Sequence, residues 1–335
     1  MSKKWYITPK IRHNYNAGSK AVRDVNNILE RNNYLPINFG YDGSYFFVKK
    51  IIIILFQLCS ILLTIRKNDI VFIQYPLYLN KGIRKIFYKL ISNKNVQLIT
   101  LIHDLPSIRY YSKENEDIIL QKSDIVICHT PAMKEYLMSI GITGSKIKIL
   151  YLFDYLTNSQ NNNNRLFTNT ITFAGNLEKS KFIPLLPEIQ DVNFLLYGVP
   201  EVQFDSDSNV QYMGKFHPDN ISDIKGDWGL VWDGNSINTC DGSLGEYLKY
   251  NSSHKISLYI AAGMPVIIWE KSSLRDFIVD NHLGISVNSL FEIKNRILSL
   301  TSEEKDMILN SIHQYSITLR EGGMLNKIID KDISL

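Results

Sequence analysis

Three short runs constrain the fold of this chain more than any other feature. DIVFIQYP (69–76), QLITLIHDLP (97–106) and SDIVICHTP (123–131) hold apolar cores without alternation, and each ends at a polar residue or a proline. A strand with one face in water alternates, whereas a strand covered on both faces reads as a continuous Val/Ile/Leu-rich run. Such strands sit inside parallel sheets, whose neighbours are joined by crossovers long enough to hold a helix. The intervals carry stretches of that kind at 81–92, between 106 and 123, and at 133–141, where MKEYLMSIG ends on Gly141. WYIT (5–8) reads as a first strand, and RHNYNAGSKAV leads into a helix through about Asn32. A helix covers 46–65, and KIKILYLFDYL (146–156) closes the series. The alternation predicts an α/β fold with a doubly wound parallel sheet.

The pattern then starts again. NSQNNNNRLFTN (158–169) is polar and low in complexity, and reads as an interdomain linker or exposed loop. After it, TITFAGNLEKS (170–180), VNFLLYGVP (192–200), VQYMGKF (210–216) and WGLVWDG (228–234) each look like a strand running into a loop. A helix opening at NSSHK (251–255), the strand PVIIW (265–269), a helix at 272–281, the strand GISV (284–287) and two further helices follow. A length of 335 residues suits two domains of this kind. The predicted division is 1–157 and 170–312, with a closing helix at 313–335 packing back on the first domain.

Composition excludes several classes. With 45% hydrophobic and 21% charged residues the chain has material for buried cores, and a globular rather than a disordered chain is expected. A net charge of +4 is compatible with anionic ligands or an acidic membrane surface, and too small to argue for nucleic acid. Cys59, Cys128 and Cys240 stand apart without CxxC spacing, which supports neither a zinc site nor a disulfide framework and fits a reduced, cytoplasmic setting. MSKKWYITPKIRHNYNAG lacks the apolar core of a signal peptide. IIIILFQLCSILLTI (51–65), flanked by Lys49-Lys50 and Arg66-Lys67, is shorter than the roughly 20 residues needed to span a bilayer. It reads as a buried or surface-lying helix, with basic flanks suited to loose contact with an anionic leaflet.

Ligands of open α/β sheets bind beyond the carboxyl ends of the strands, so the polar residues just after the strands are the candidates. Gly18 and Ser19, with Lys20, stand in a strand-to-helix loop whose N–H groups suit an anion or a sugar hydroxyl; taken alone, an ordinary helix cap explains them better, and neither GxxxxGK[ST] nor GxGxxG spacing is present. His103 and Asp104 follow a buried strand directly, with Arg109 five residues on. An imidazole or carboxylate there is placed to take a proton from an acceptor hydroxyl. The alternative is that Asp104 caps the turn before Pro106 and His103 bonds internally. FAGNLEKS offers Gly175, Asn176 and Lys179 in one loop, a set that suits a phosphate or an ordinary turn. WDGNSINTCDGSLGEYLKYN (232–251) is a long loop with Asp233, Cys240, Asp241 and Gly242 as candidate contacts. FDSDS (204–208) superficially resembles a metal-binding DxD motif in a polar stretch. In NSSHKISLYIAAGMPVIIW (251–269), Ser252 or Ser253 is a suitable N-cap. A helix start carries about half a positive charge, and Lys255 adds a whole one, which together suit a diphosphate.

The run CDGSLGEYLKYNSSHKISLYIAAGMPVIIW…DFIVDNHLGISV (240–287) resembles bacterial β-1,6-galactofuranosyltransferases of O-antigen and capsule assembly. More distantly it resembles the glucosyltransferases that extend GlcNAc on serine-rich-repeat adhesins. AGSKAVRD (17–24), LIHDLPSIR (101–109) and FAGNLEKS (173–180) carry the likeness through nearly the whole chain. The resemblance implies a GT-B fold, two Rossmann-like domains facing each other across a cleft, and a UDP-sugar bound mainly by the second. It implies UDP contacts from Gly175, Asn176, Lys179, Tyr212, Asp233, Asn251, Ser252, Ser253, His254, Lys255 and Ile256. Lys255 would neutralise the diphosphate, with Gly18 and Ser19 closing from the other side. Many retaining GT-B enzymes have a glutamate in a segment like E-A-M-A-A-G-x-P-V, where this chain has Leu258. Its loss favours an inverting displacement with Asp104 or His103 as base, and no metal cofactor. The implied partners are a UDP-sugar donor and a saccharide or glycoprotein acceptor, with homo-oligomer contacts and peripheral contact with the inner membrane face as further expectations. A non-catalytic glycan-binding or co-chaperone subunit is the rival class.

Overall fold

Two units divide the chain, residues 1–150 and 151–335. The computed structural model describes residues 2–8, 17–40, 47–77, 79–112, 116–159 and 165–333.

Unit 1 runs β1 (Lys4–Thr8), α1 (Ala17–Arg31), β2 (Leu35–Asn38), α2 (Phe47–Thr64), β3 (Ile70–Tyr75), α3 (Lys81–Ser92), β4 (Gln97–Ile102), α4 (Pro106–Arg109), α5 (Glu116–Leu120), β5 (Ile125–Cys128), α6 (Pro131–Ser139) and β6 (Ile147–Ile149). All its strand pairs are parallel, in the order β2-β1-β3-β4-β5-β6. The three continuous apolar runs are the three inner strands β3, β4 and β5. β2 is absent from the sequence reading because LPIN holds a proline and is half in water, which only an edge strand tolerates. α6 starts earlier than its apolar pattern: the Thr130 hydroxyl accepts from Met133 N–H at 3.1 Å, and Pro131 takes the first helical position. Given this strand order, the right-handed crossovers that parallel units adopt put α2, α3, α5 and α6 on one face of the sheet and α1 on the other.

Unit 2 runs β7 (Thr170–Asn176), β8 (Asn193–Val199), β9 (Val210–Tyr212), β10 (Trp228–Val231), α7 (Gly242–Tyr247), α8 (His254–Ala261), β11 (Val266–Trp269), α9 (Arg275–Asp280), β12 (Gly284–Val287), α10 (Ile293–Leu298), α11 (Ser302–Glu321) and α12 (Gly323–Asp332). Its parallel sheet has the order β12-β11-β10-β7-β8-β9. Trp228, Trp232, Phe173 and the apolar face of α8 fill its core. The long loop predicted at 232–251 contains α7 and closes on itself, with Asp241 Oδ1 accepting Asn235 N–H at 2.5 Å.

The change of unit comes before the asparagine-rich stretch. Tyr151 adopts a left-handed conformation (φ 62°), which ends the extended run that KIKILYLFDYL suggests. Beyond it, Asp154 accepts N–H bonds from Met324 and Leu325 at the start of α12 (2.9 and 2.8 Å), and Tyr155 N–H bonds Leu319 O at 2.9 Å. Residues 160–164 of the predicted linker lie outside the described residues. Arg165 is buried in unit 2, donating to Gly226 O (2.6 Å) and Ala262 O (3.0 Å), so the end of that stretch is anchored rather than free.

Candidate active site

In unit 2 the strand order reverses between β7 and β10, and ligands of doubly wound sheets bind at such switch points. β10 pairs with β7 only at Trp228–Ile171 and Gly229–Thr172. Beyond Gly229 a side chain from α8 enters: the Tyr259 hydroxyl oxygen accepts Ala174 N–H at 2.8 Å. Tyr259 can cross the strand only because residue 229 is glycine, where a Cβ would lie 2.1 Å from the ring. Burial pushes the Tyr259 hydroxyl to a higher pKa, keeping it neutral.

One turn earlier on α8, Lys255 reaches the opening. Its Nζ lies 2.9 Å from both oxygens of Asp233, which follows β10, and 5.2 Å from the centroid of the Phe173 ring in β7. A Cβ at Gly175 would stand 3.2 Å from Lys255 Cε, so glycine there leaves the lysine stem its path. The side chains of Lys255 and Asp233 retain 16% and 21% exposure, enough for a ligand to reach the ammonium.

The start of α8 is not closed by its own cap. Ser253 occupies the N-cap, as the sequence suggests, but its hydroxyl makes no cap bond. α11 shows the contrast, since Thr301 and Glu304 form a full capping box. His254 stacks on Phe153 (centroids 4.5 Å apart, 29° between planes). Ser252 is buried, and Asn251 Oδ1 is buried without a hydrogen-bond partner among the described residues. Ile256 packs in the core and gives its N–H to Ser253 O at 2.9 Å, so its side chain is not available to a ligand.

Around β7, Asn176 Oδ1 accepts Lys179 N–H at 2.9 Å and Asn176 O accepts from Ser180 Oγ at 2.9 Å. That turn presents the Lys179 side chain to solvent. Tyr212 lies on β9, two strands from β7, and donates to Gly198 O at 3.0 Å. Leu258 is buried in α8 and belongs to the core. Asp205 and Asp207 of FDSDS stand exposed between β8 and β9 on the rim of an open hollow lined by Pro184 and Pro187. The structure thus brings Gly175, Asp233 and Lys255 together, and leaves Tyr212 apart from them.

Unit 1 reverses its strand order between β1 and β3. A chain of hydrogen-bonded side chains crosses that point. His103 Nε2 donates to Gln74 Oε1 (2.7 Å), Gln74 Nε2 to Asn26 Oδ1 (2.7 Å), and Asn26 Nδ2 to Thr8 Oγ1 (2.9 Å). With the Gln74 amide in this orientation, Nε2 is the ring nitrogen that donates. Asp104 pairs with the Arg109 guanidinium, both partly exposed. Gly18 and Ser19 lie in the first turn of α1 rather than in a loop. Lys20 is buried and bonds both oxygens of Asp24 (2.6 and 2.8 Å), so its charge is already matched and the residue is no anion cradle. His129 is buried, donates to Ile102 O at 2.7 Å, and has its pKa lowered to about 4 by burial.

Gln74, Asn26, Phe173 and Phe153 were not legible as site residues. The first lies inside a run that reads as core, and nothing in the sequence marks the other three.

Each of the two units is a doubly wound parallel sheet with polar residues gathered at its switch point, the place where such folds bind their ligands. Residues 4–152 match the glucosyltransferase 3-like N-terminal domain and residues 171–331 the glucosyltransferase 3-like C-terminal domain, and the chain belongs to that family. It is 32% identical over 324 residues to the β-1,6-galactofuranosyltransferase WbbI of Escherichia coli (strain K12), covering 95% of this chain and 94% of that one. It is 29% identical to glucosyltransferase 3 of Streptococcus gordonii, over 82% and 81% of the two chains. The solved structure of Anabaena Alr3699/HepE in complex with UDP and glucose matches with a TM-score of 0.59 at 12% identity, over 99% of this chain and 100% of that one. The fold is GT-B, and the protein is a glycosyltransferase, as the sequence resemblance implied.

Proposed function

We propose that this glycosyltransferase moves a hexose from a UDP-sugar to an acceptor saccharide in the assembly of a cell-surface polysaccharide or glycoprotein, with inversion and without a metal. The observation that carries the reading is Lys255, held by Asp233 at the β7/β10 switch point beside the uncapped start of α8. Asp233 aims the ammonium until a diphosphate shares it. The ammonium and the first turn of α8 then stabilise the charge that develops on the departing UDP. A buried oxygen such as Asn251 Oδ1 suits a donor group on the nucleoside.

His103 serves as the base. Gln74 orients its ring through Nε2, whereas the Asp104 carboxylate is engaged by Arg109. The acceptor hydroxyl gives its proton to His103 and its oxygen bonds the anomeric carbon. The bond from that carbon to the UDP oxygen breaks on the opposite side. The buried Leu258 offers no carboxylate to the ribose.

Galactofuranose is the favoured donor sugar, supported by the 32% identity to a galactofuranosyltransferase. Glucose is the second reading, supported by the family description and the streptococcal relative. A UDP-sugar donor sets the protein in the cytoplasm, acting at the inner membrane face when its acceptor is lipid-borne. The test is UDP release and product mass from UDP-galactofuranose and UDP-glucose with saccharide acceptors, with and without EDTA. Turnover of one donor, undiminished by EDTA, is expected. Failure of both donors overturns the donor class, and loss with EDTA overturns metal independence.

A further inference from the structure

Helix α2 has two apolar faces. Ile54 and Ile61, with Leu58 and Leu62 beside them, pack on the unit 1 core. On the other face Ile52, Leu55, Phe56, Cys59 and Leu63 follow one another at helical spacing and are exposed; Phe56 is 75% and Leu63 84% accessible. A helix apolar all round belongs in a core or against lipid, and contiguous apolar patches of this kind mark interaction surfaces.

Among the described residues, the exposed charges of α2, α3 and the turn after α2 are one-signed. Lys49 and Lys50 stand in the first turn of α2, and Arg66 and Lys67 follow its last. α3 packs beside α2 on the same face of the sheet and presents Lys81, Lys85 and Lys89 four residues apart, all exposed, with Ile86 among them. Residues 47–94 hold nine lysines and arginines against one aspartate, a net +8; the whole chain is +4, so the remainder carries −4. That aspartate, Asp69, is buried and accepts from Lys3 N, Trp5 Nε1 and Arg66 N (2.8, 2.9 and 2.9 Å), which removes it from the surface.

We propose that the α2–α3 face of unit 1 is a membrane-docking surface for an anionic phospholipid bilayer. At 18 residues α2 is about 27 Å long. Lying flat, it would sink the Phe56 and Leu63 stripe roughly 5–10 Å below the headgroups, with the lysines of both helices at phosphate level. No described helix is long and apolar enough to cross a membrane, so this contact is peripheral. A second copy fits less well, because a two-fold contact through this face sets like charges against each other. The inference deepens the reading of an enzyme at the inner membrane face, and its binding readout uses no sugar.

The full-length protein is sedimented with vesicles of phosphatidylglycerol and phosphatidylcholine, and with phosphatidylcholine alone. Wild type is expected to pellet with the mixed vesicles only, and less as salt rises. Phe56→Glu/Leu63→Glu and Lys81→Glu/Lys85→Glu/Lys89→Glu should each weaken binding roughly tenfold or more, with thermal melts and UDP release in solution unchanged. Wild type remaining in the supernatant, or either variant pelleting like wild type, overturns the proposal. So does a solution dimer that Phe56→Glu/Leu63→Glu splits while no vesicles bind. Vesicle binding without turnover of any UDP-sugar would instead overturn the proposed function and leave this surface standing.

Discussion

The two units share a scaffold and differ in what they put at the switch point. In unit 1 His103, Gln74, Asn26 and Thr8 pass one line of hydrogen bonds, while Lys20 and Asp24 cancel each other in the interior. In unit 2 the arrangement is ionic and open, with Lys255 and Asp233 partly exposed beside a helix start. A hydrogen-bonded line orients an imidazole, and an open cation suits an anion. On the proposed function, the same parallel-sheet geometry would serve proton handling in one unit and diphosphate binding in the other, with the side chains deciding which.

Several changes would break or sharpen that contrast. His103→Asn removes the proton acceptor and should lower kcat by roughly 10²–10⁴-fold, leaving UDP affinity intact; steady-state kinetics beside calorimetric UDP titration checks both. A kcat within a few-fold of wild type would return the base to Asp104. In unit 2, Gly229→Ala forces a methyl group into the Tyr259 ring and should cost about 3 kcal/mol of stability. Urea unfolding reads it, and an unchanged midpoint would mean that Tyr259 can leave its place above β10.

Acid should act on unit 1 through His129. Its pKa is about 4 when folded against an ordinary 6.5, so between those values the unfolded chain binds the extra proton. Stability is then full above pH 6.5 and falls as pH drops towards 4, by about 2 kcal/mol between pH 7 and pH 5. His129→Gln should flatten that part of the urea-unfolding profile. Last, Gln74→Leu removes the partner of His103 and should lower kcat about tenfold. A shift in the pH–rate profile at unchanged KM would mark Gln74 as a positioning residue rather than a structural one.

Legibility in the sequence followed burial. β3, β4 and β5 are covered on both faces, so their runs are continuous and unmistakable, and the edge strand β2 with Pro36 gives no such signal. His103 and Lys255 were visible because each stands at the end of an apolar element, where a charged or titratable side chain is conspicuous. Their pairings were not. Gln74 hides inside a buried strand, and Asp233 meets Lys255 across 22 residues only because β7 and β10 stop pairing after Gly229. Lys20 shows the opposite failure: glycine, serine and lysine together suggested an anion loop, but a helical spacing of four delivers the lysine to Asp24. A motif records which groups are near in sequence, and pairing across the sheet decides which of them remain available.

The account rests on a division of labour, with UDP held by Lys255 of unit 2 and the proton taken by His103 of unit 1. Calorimetric titration of UDP into wild type, Lys255→Ala and His103→Asn tests it most directly. The account predicts that Lys255→Ala weakens UDP binding roughly 10²-fold or more, while His103→Asn binds UDP as wild type does. Equal UDP affinity in Lys255→Ala and wild type would contradict it.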